Sequence, residues 1–573
     1  MIVLSASFSL ADSNDKWKSD WALDYNFSIS IDTSGYDLPT SIVFVPNPGK
    51  GPKDPLYFVI ELGGKVKVVT NDRTVHVFAE DFFRLESEKK LPAVEGEVGL
   101  AGICLEPENG YVFVTFAYQD SKNVLRNNVV RFETQPIVFS LKPISMMDFS
   151  QVFVRNESRY SHQIGPCQVY DNLLYVNVGD GFRHLESQQL DSTLGKILRM
   201  TLDGKPVITN PYYLDDGRES PRDYVWAYGF RNPFSLDIVD GRVFVADNGL
   251  GSDRFLEVHK GQNSLWDGTD WSIGTNTNVV FSPSVAPVQV DYYPKGLEIF
   301  PLLYRGKFYM ALAGRPNIKG PSYKGSKSIV MLDFGFKENR MLSAPKHFLK
   351  YRGEELQLLT GLGIGPDGLY FVPLYPDAQG QSSVFKVQYD ESDSHPYKIW
   401  HETGKRKVLS DKGCLGCHSF FGLPGGNVGP NLDTEPLVKR LNKRLNSKEY
   451  LESLIQIDKL DTEPYISYKD ARQKVLQEEG QEKLRTWIKF HLMEPRFDNP
   501  SAQMPNLGIS EEDAIILTDF LLDNTNTNET GNGFISSYIP QLQYKHLVYS
   551  LVMGGFLSFL VLLVFYMLYR RKR

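Results

Sequence analysis

Between residues 35 and 390 the chain repeats one short pattern: an apolar residue, an aromatic one, then valine or methionine, usually just after a glycine turn. It occurs as Tyr57-Phe58-Val59, Val112-Phe113-Val114, Leu174-Tyr175-Val176, Val243-Phe244-Val245, Phe308-Tyr309-Met310 and Tyr370-Phe371-Val372. Successive copies start 55, 62, 69, 65 and 62 residues apart. That exceeds the ~50 residues of a kelch-type repeat, yet it is regular enough for one sheet per repeat. Six copies predict an all-β six-bladed β-propeller over 35–390, with loops at one mouth free to build a site. Six unrelated strands of a sandwich would give no reason for the steady spacing.

The pattern then changes. Residues 391–411 are polar and Pro-containing and read as a linker. Residues 412–525 read as an all-α domain, with a long charged helical stretch in the middle whose charges form a solvated face. Residues 526–546 are a polar tether. Leu547 to Tyr569 then runs without a charged residue. At ~1.5 Å per residue such a run reaches ~34 Å, enough to cross the hydrocarbon core as a transmembrane helix. Arg570, Arg571, Lys572 and Arg573 follow, so residues 570–573 form a basic cytoplasmic tail. Everything before the span is then extracytoplasmic (periplasmic), and the protein a single-pass component of the cell membrane. The opening residues 1–11, ending Ser9-Leu10-Ala11, fit the remnant of a signal peptide.

Composition changes this picture in one respect. The formal net charge of −7 over 573 residues, with no basic patch before the last four, disfavours nucleic acid as a partner.

Cys414-Leu415-Gly416-Cys417-His418 fits the C-x-x-C-H pattern of covalent haem attachment, in which both thiols add to the haem vinyls and the imidazole reaches the iron. A zinc site would need two further Cys or His ligands at matching spacing, and a redox C-x-x-C would sit near a βαβ pattern. The flanks "GGNVGPNLDTEP" and "NPSAQMPNLGISEEDAIILTDFLL" make this stretch resemble class I cytochrome c. The resemblance implies one haem c on Cys414 and Cys417, with His418 and Met504 on the iron and Pro430 supporting His418 through its carbonyl. Met493 and His491 are lesser candidates for the sixth position. Ser510 before Glu512 and Asp513 reads as a helix start.

Within the repeats, "EGEVGLAGICLEPENGYVFVTF", "YSHQIGPCQVYDNLLYVNVGDG", "STLGKILRMTLDG", "VWAYGFRNPFSLDI", "VADNGLGSDRFLEVHKGQN" and "LLTGLGIGPDGLYFVP" occur in order. Together they resemble the PQQ-dependent soluble glucose (aldose) dehydrogenases and their sorbosone dehydrogenase relatives. The resemblance implies His162 as general base, Glu97, Arg231 and Asn232 on the quinone PQQ, and calcium on the backbone carbonyls of Gly249 and Leu250. It also has departures. Ser161 stands where those enzymes have aspartate, and "QLLTGLGIGPDG" lacks the arginine pair that clamps the quinone carboxylates. No motif places their cofactor-binding lysine, for which Lys319 and Lys324 are candidates. Cys104 and Cys167, each two residues after a glycine in successive repeats, are open to two readings: a disulfide, or two buried thiols.

The assembly implied is a membrane-anchored quinohaemoprotein dehydrogenase. It would oxidise a sugar or related alcohol and pass electrons through haem to an external acceptor or respiratory-chain partner. The alternative is an anchored electron-carrier cytochrome c whose propeller is a cofactor-free binding scaffold.

Overall fold

The computed structural model describes residues 13–83, 97–314, 327–399, 409, 412–420 and 429–522. The signal-peptide remnant, the tether, the run Leu547 to Tyr569, the basic tail, Lys319 and Lys324 lie outside the described residues. Among the described residues no helix is long and apolar enough to cross a membrane.

Six antiparallel sheets are arranged around a channel. Their innermost strands are Pro39–Phe44, Gly99–Glu106, Ile164–Tyr170, Pro233–Val239, Pro287–Tyr293 and Leu359–Gly365. Each packs against the one before and the one after, and the sixth packs against the first, so the ring closes as a six-bladed propeller. The recurrent triplets all fall on the second strand of a blade: Pro55–Glu61, Tyr111–Gln119, Leu173–Val178, Arg242–Asn248, Lys307–Leu312 and Gly368–Pro373. The reason is burial on both faces. Every residue of Pro55–Glu61 and of Gly368–Pro373 is buried, and a strand covered on both sides reads as a continuous apolar run.

The ring also takes in residues ahead of position 35. Phe27–Ser34 pairs with Ser383–Tyr389 as the outermost strand of the sixth blade, and Trp21–Leu23 adds a fifth strand to the blade before it. Phe27, Trp21 and Leu23 thereby bury in one core with Phe348, Phe371 and Phe385. The fifth and sixth blades are thus completed by strands that precede the first blade in sequence. Cys104 and Cys167, on the innermost strands of the second and third blades, form a disulfide with Cα atoms 5.7 Å apart.

The C-terminal part is helical: Thr434–Leu445, Lys448–Ile457, Lys469–Gln477, Gly480–Met493 and Glu511–Leu522. Leu437, Leu441 and Leu445 recur every fourth residue and bury one face of the first helix, leaving Lys439 and Lys443 outward, while Arg440 and Arg444 are half-buried and Arg444 pairs with Asp498 at 3.4 Å. Buried Arg472 is satisfied by Asp458 at 2.7 Å and by the carbonyls of Phe497 and Tyr465. Asp498, fully buried, accepts from Tyr450 at 2.9 Å and Trp487 at 2.5 Å. Glu511–Leu522 starts as its sequence requires, with the Ser510 hydroxyl accepting from Asp513 N at 3.1 Å.

Candidate functional site

Glu97, His162 and Arg231-Asn232 each stand just ahead of an innermost strand, which brings them together at one mouth of the channel. His162 is buried and its backbone is left-handed, with φ +56°. A non-glycine residue held there is strained, at a cost of about 1–3 kcal/mol, and persists only when its surroundings fix it. Here they do. Its N–H donates to Glu97 Oε2 at 2.7 Å, its carbonyl accepts from Gly181 at 3.0 Å, and Nδ1 lies 2.7 Å from Asp180 Oδ1. Gly179 permits the approach: a Cβ there would fall 2.5 Å from the His162 carbonyl oxygen and 2.9 Å from Asn232 Oδ1.

Asp180 was not singled out by the sequence motifs, although it lies inside "VNVGDG" directly after strand Leu173–Val178. Its carboxylate is buried and accepts from three sides: His162, Phe182 N at 2.9 Å, and Trp266 Nε1 at 2.8 Å. Its own N–H donates to the Arg231 carbonyl at 2.7 Å. An ionised carboxylate only accepts, so it fixes the proton on His162 Nδ1 and leaves Nε2 with a free lone pair. The exposed Phe182 ring covers the imidazole, with centroids 4.1 Å apart.

The fourth blade supplies the next wall. Asp247 Oδ1 accepts from the backbone N–H of Arg231 at 3.1 Å and of Asn232 at 2.8 Å, while its other oxygen pairs with buried Arg254 at 2.8 Å. Arg231 donates to the Asn248 carbonyl at 2.8 Å. Asn232 Oδ1 and Asn248 Oδ1 are buried without a hydrogen-bond partner among the described residues, an uncommon state for buried polar atoms that a bound polar ligand would relieve. The following loop is folded on two carboxylates. Asp270 accepts from the N–H groups of Leu250, Gly251 and Ser252 at 2.8, 2.6 and 3.1 Å, and Asp253 accepts from Gly249 at 3.0 Å. With their N–H groups turned to these carboxylates, the Gly249 and Leu250 carbonyls accept no hydrogen bond among the described residues. Free carbonyls are suitable ligands for calcium. Among the described residues no group of three or more His, Cys, Asp or Glu could hold a metal ion, so calcium here would rest on backbone oxygens.

A cavity of about 400 Å³ lies at the other end of the channel, lined by residues such as Val45, Cys167, Gln289 and Ile364. Asp237 and Asp291 face it from neighbouring innermost strands. Burial raises both carboxyls well above the usual range, and Asp237 raises Asp291 further.

In the helical part, Cys414–Gly416 forms one 3-10 turn, with Cys417 N and His418 N both reaching the Cys414 carbonyl, at 3.2 and 3.0 Å. Both thiols are unpaired. His418 Nδ1 lies 2.7 Å from the Pro430 carbonyl, the support expected of that proline. Nε2 is thereby the nitrogen left for an iron. Burial holds the His418 ring below its ordinary pKa. Met504 is half-buried in the loop before Glu511–Leu522. His491 is enclosed and stacked on Trp487 with centroids 4.4 Å apart, and its Nδ1 has no partner among the described residues. Burial, then the nearby Arg444 and His418, push its pKa down to about 3.

An uncharacterized protein of Synechocystis is 28% identical over 230 residues, 35% of this chain and 53% of that protein. The aldose sugar dehydrogenase YliI of Escherichia coli is 29% identical over 133 residues, 22% of this chain and 35% of that enzyme. The chain thus spans about half or less of the length of these curated relatives. The PQQ-bound form of an aldose sugar dehydrogenase from Streptomyces coelicolor superposes with a TM-score of 0.45 at 21% identity, over 64% of this chain and all of that one. Residues 37–287, which carry every propeller-mouth residue described above, match the family described as Glucose / Sorbosone dehydrogenase.

Proposed function

We propose that the propeller mouth is the active site of a PQQ-dependent aldose dehydrogenase and that the helical part is a c-type cytochrome receiving its electrons. The carrying observation is His162, buried in a strained conformation with Nδ1 committed to Asp180 and Nε2 left to take a proton. That is the arrangement of a positioned general base. Within this reading, His162 Nε2 removes the proton of the sugar's anomeric hydroxyl. Asp180 holds the ring in register and balances the charge of the imidazolium. Trp266 and Phe182 N hold Asp180 in turn, and Phe182 shields the ring from water.

Glu97, Arg231 and Asn232 would hold PQQ, and the Gly249 and Leu250 carbonyls would hold calcium. When bound, the quinone supplies a two-electron acceptor for the hydride of the sugar's C–H bond. The free Gly249 and Leu250 carbonyls support the calcium fit, and the orphaned Asn232 and Asn248 oxygens are acceptors open to a cation or a donor of the bound ligand. Arg231 is the cation these contacts offer to the carboxylates; Lys196, also near the mouth, already donates to the carbonyls of Glu186, Ser187 and Leu194. Cys414 and Cys417 would carry the haem, with His418 and Met504 on its iron. The apolar run Leu547 to Tyr569 and the basic residues after it support anchoring in the cell membrane, with propeller and haem outside.

The test is calorimetric titration of the purified chain with PQQ, with and without calcium, followed by dye-linked oxidation of a panel of aldoses. Calcium-dependent binding and turnover lost in His162→Ala are expected. Absence of PQQ binding and turnover, with a haem that dithionite still reduces, would leave the electron-carrier cytochrome with a scaffold propeller.

A further inference from the structure

One connection of the fourth blade touches both candidate centres. It runs over 264–283, after strand Asp253–Val258 and ahead of the fifth blade, and ends on the fourth blade's outermost strand, Val279–Phe281, and the two residues after it. Its first half is tied to the propeller mouth. Trp266 Nε1 donates to Asp180, and Asp270 holds the N–H groups of Leu250, Gly251 and Ser252. From Trp271 onward it meets the helical part at three points among the described residues. Arg496 lies over the Trp271 ring, 3.6 Å from its centroid. Gly274 meets the chain at 506–508 so closely that a Cβ on it would fall 2.3 Å from Gly508 N and 2.6 Å from Asn506 O. Ser282 and Pro283 meet the C-x-x-C-H turn: a Cβ on Gly413 would fall 2.8 Å from the Ser282 carbonyl oxygen, and one on Gly416 2.3 Å from Pro283 Cδ.

These contacts are not spread at random over the helices. Gly416 is two residues before His418, and Asn506 is two residues after Met504. The connection therefore grips the chain beside each candidate iron ligand, on segments about ninety residues apart, and does so backbone to backbone. Glycines at 274, 413, 416 and 508 are what allow it; any side chain on 274 or 416 would hold the two parts apart.

We propose that the connection 264–283 is the coupling element of the molecule: it clamps the haem pocket to the propeller beside the His162 mouth, and Trp266, Trp271 and Arg496 mark the route between the two centres. The inference rests on the dehydrogenase reading above. Oxidation of one C–H and O–H pair releases two electrons and two protons. With haem c on Cys414 and Cys417, the electrons would cross singly, each reducing one ferric iron to ferrous, and an external one-electron oxidant would reset the iron between them. The hydroxyl proton would leave through His162 to solvent, and the proton carried over with the hydride would be released to solvent as the quinone gives up its electrons. A fixed dock replaces a diffusional encounter by one geometry, which is where such a route gains its rate. Trp271, Gly274 and Arg496 are positioning residues in this scheme.

The experiment compares the full haem-loaded chain with Gly274→Val, Arg496→Leu, Trp271→Ala and Trp271→Phe. Hydrogen exchange is read first. In Gly274→Val, peptides covering 412–418 and 505–509 exchange together, roughly tenfold faster or more, with the blades unchanged. With PQQ and calcium added, dye-linked aldose oxidation keeps its wild-type rate in Gly274→Val, Arg496→Leu and Trp271→Ala, while substrate-driven haem reduction falls roughly tenfold or more. Trp271→Phe retains most of the rate, and the haem spectrum is the same throughout. Unchanged exchange in 412–418 and 505–509 in both Gly274→Val and Arg496→Leu overturns the clamp. Wild-type haem reduction in the variants that loosen it overturns the coupling. A wild-type chain that oxidises no aldose with the dye overturns the dehydrogenase reading and the route with it, and exchange still reports the clamp by itself.

Discussion

His162 would gain flexibility and lose strain if any of its three holders were removed, so each holder can be weighed separately. Asp180→Asn keeps the shape of the site but can donate to Nδ1, which favours the tautomer with its proton on Nε2, where the base must accept. The expected outcome is a loss of roughly a thousandfold or more in kcat, with PQQ affinity near wild type. Glu97→Gln retains an acceptor for the His162 N–H and should cost far less. Steady-state kinetics with a dye acceptor and PQQ titration check both. A second question at this scale is the sixth ligand of the proposed haem iron. Met504→Ala should abolish the sulfur-to-iron charge-transfer band and lower the haem potential, as loss of histidine–methionine ligation does. His491→Ala should leave the band in place. The reverse pattern would assign the position to His491, whose Nδ1 is enclosed without a partner among the described residues.

Two elements show how far local sequence reached and where it stopped. The triplets mark the second strands because those strands are apolar on both faces, which a single sequence displays. The outermost strand Phe27–Ser34 carries the weaker alternation Phe27, Ile29, Ile31, and its partner Ser383–Tyr389 lies some 350 residues later, so nothing local announces that it closes the ring. The contact of His418 with Pro430 was legible because it is local, across twelve residues. Asp180, Trp266 and Asp270 were not, because each acts on a residue that only the fold brings near. The cysteines left two readings, and the fold pairs them because two neighbouring innermost strands put Cα atoms 5.7 Å apart. A bridge closing a loop of 63 residues restricts the unfolded chain by about 4 kcal/mol in the chain-entropy account. Cys104→Ala with Cys167→Ala should therefore lower the denaturation midpoint with little change in turnover, since neither sulfur touches the His162 mouth. Chemical denaturation under oxidising and reducing conditions checks this.

Across the whole molecule, the channel has two chemically different ends. The His162 end carries an imidazole held by Asp180 and orphaned acceptors; the other carries Asp237 and Asp291 with raised carboxyl pKa values. A carboxyl raised in the folded state binds protons there that the unfolded chain has already released. The stability it contributes is complete at acid pH, below the unfolded carboxyl pKa, and is lost as pH rises through the raised folded value. Melting temperature should accordingly fall across that window as pH increases, and Asp291→Asn should flatten the fall. Stability against pH for both chains reads the effect directly.

In the proposed function, one chain oxidises a sugar at the propeller and delivers the electrons to its own haem. The most direct test mixes the oxidised protein, loaded with PQQ and calcium, with an aldose in the absence of oxygen and any added acceptor, while haem absorbance is followed. Haem reduction is expected at a rate independent of protein concentration, dependent on substrate and PQQ, and abolished by His162→Ala. A haem that stays ferric with every aldose while the same protein reduces an external dye would contradict it.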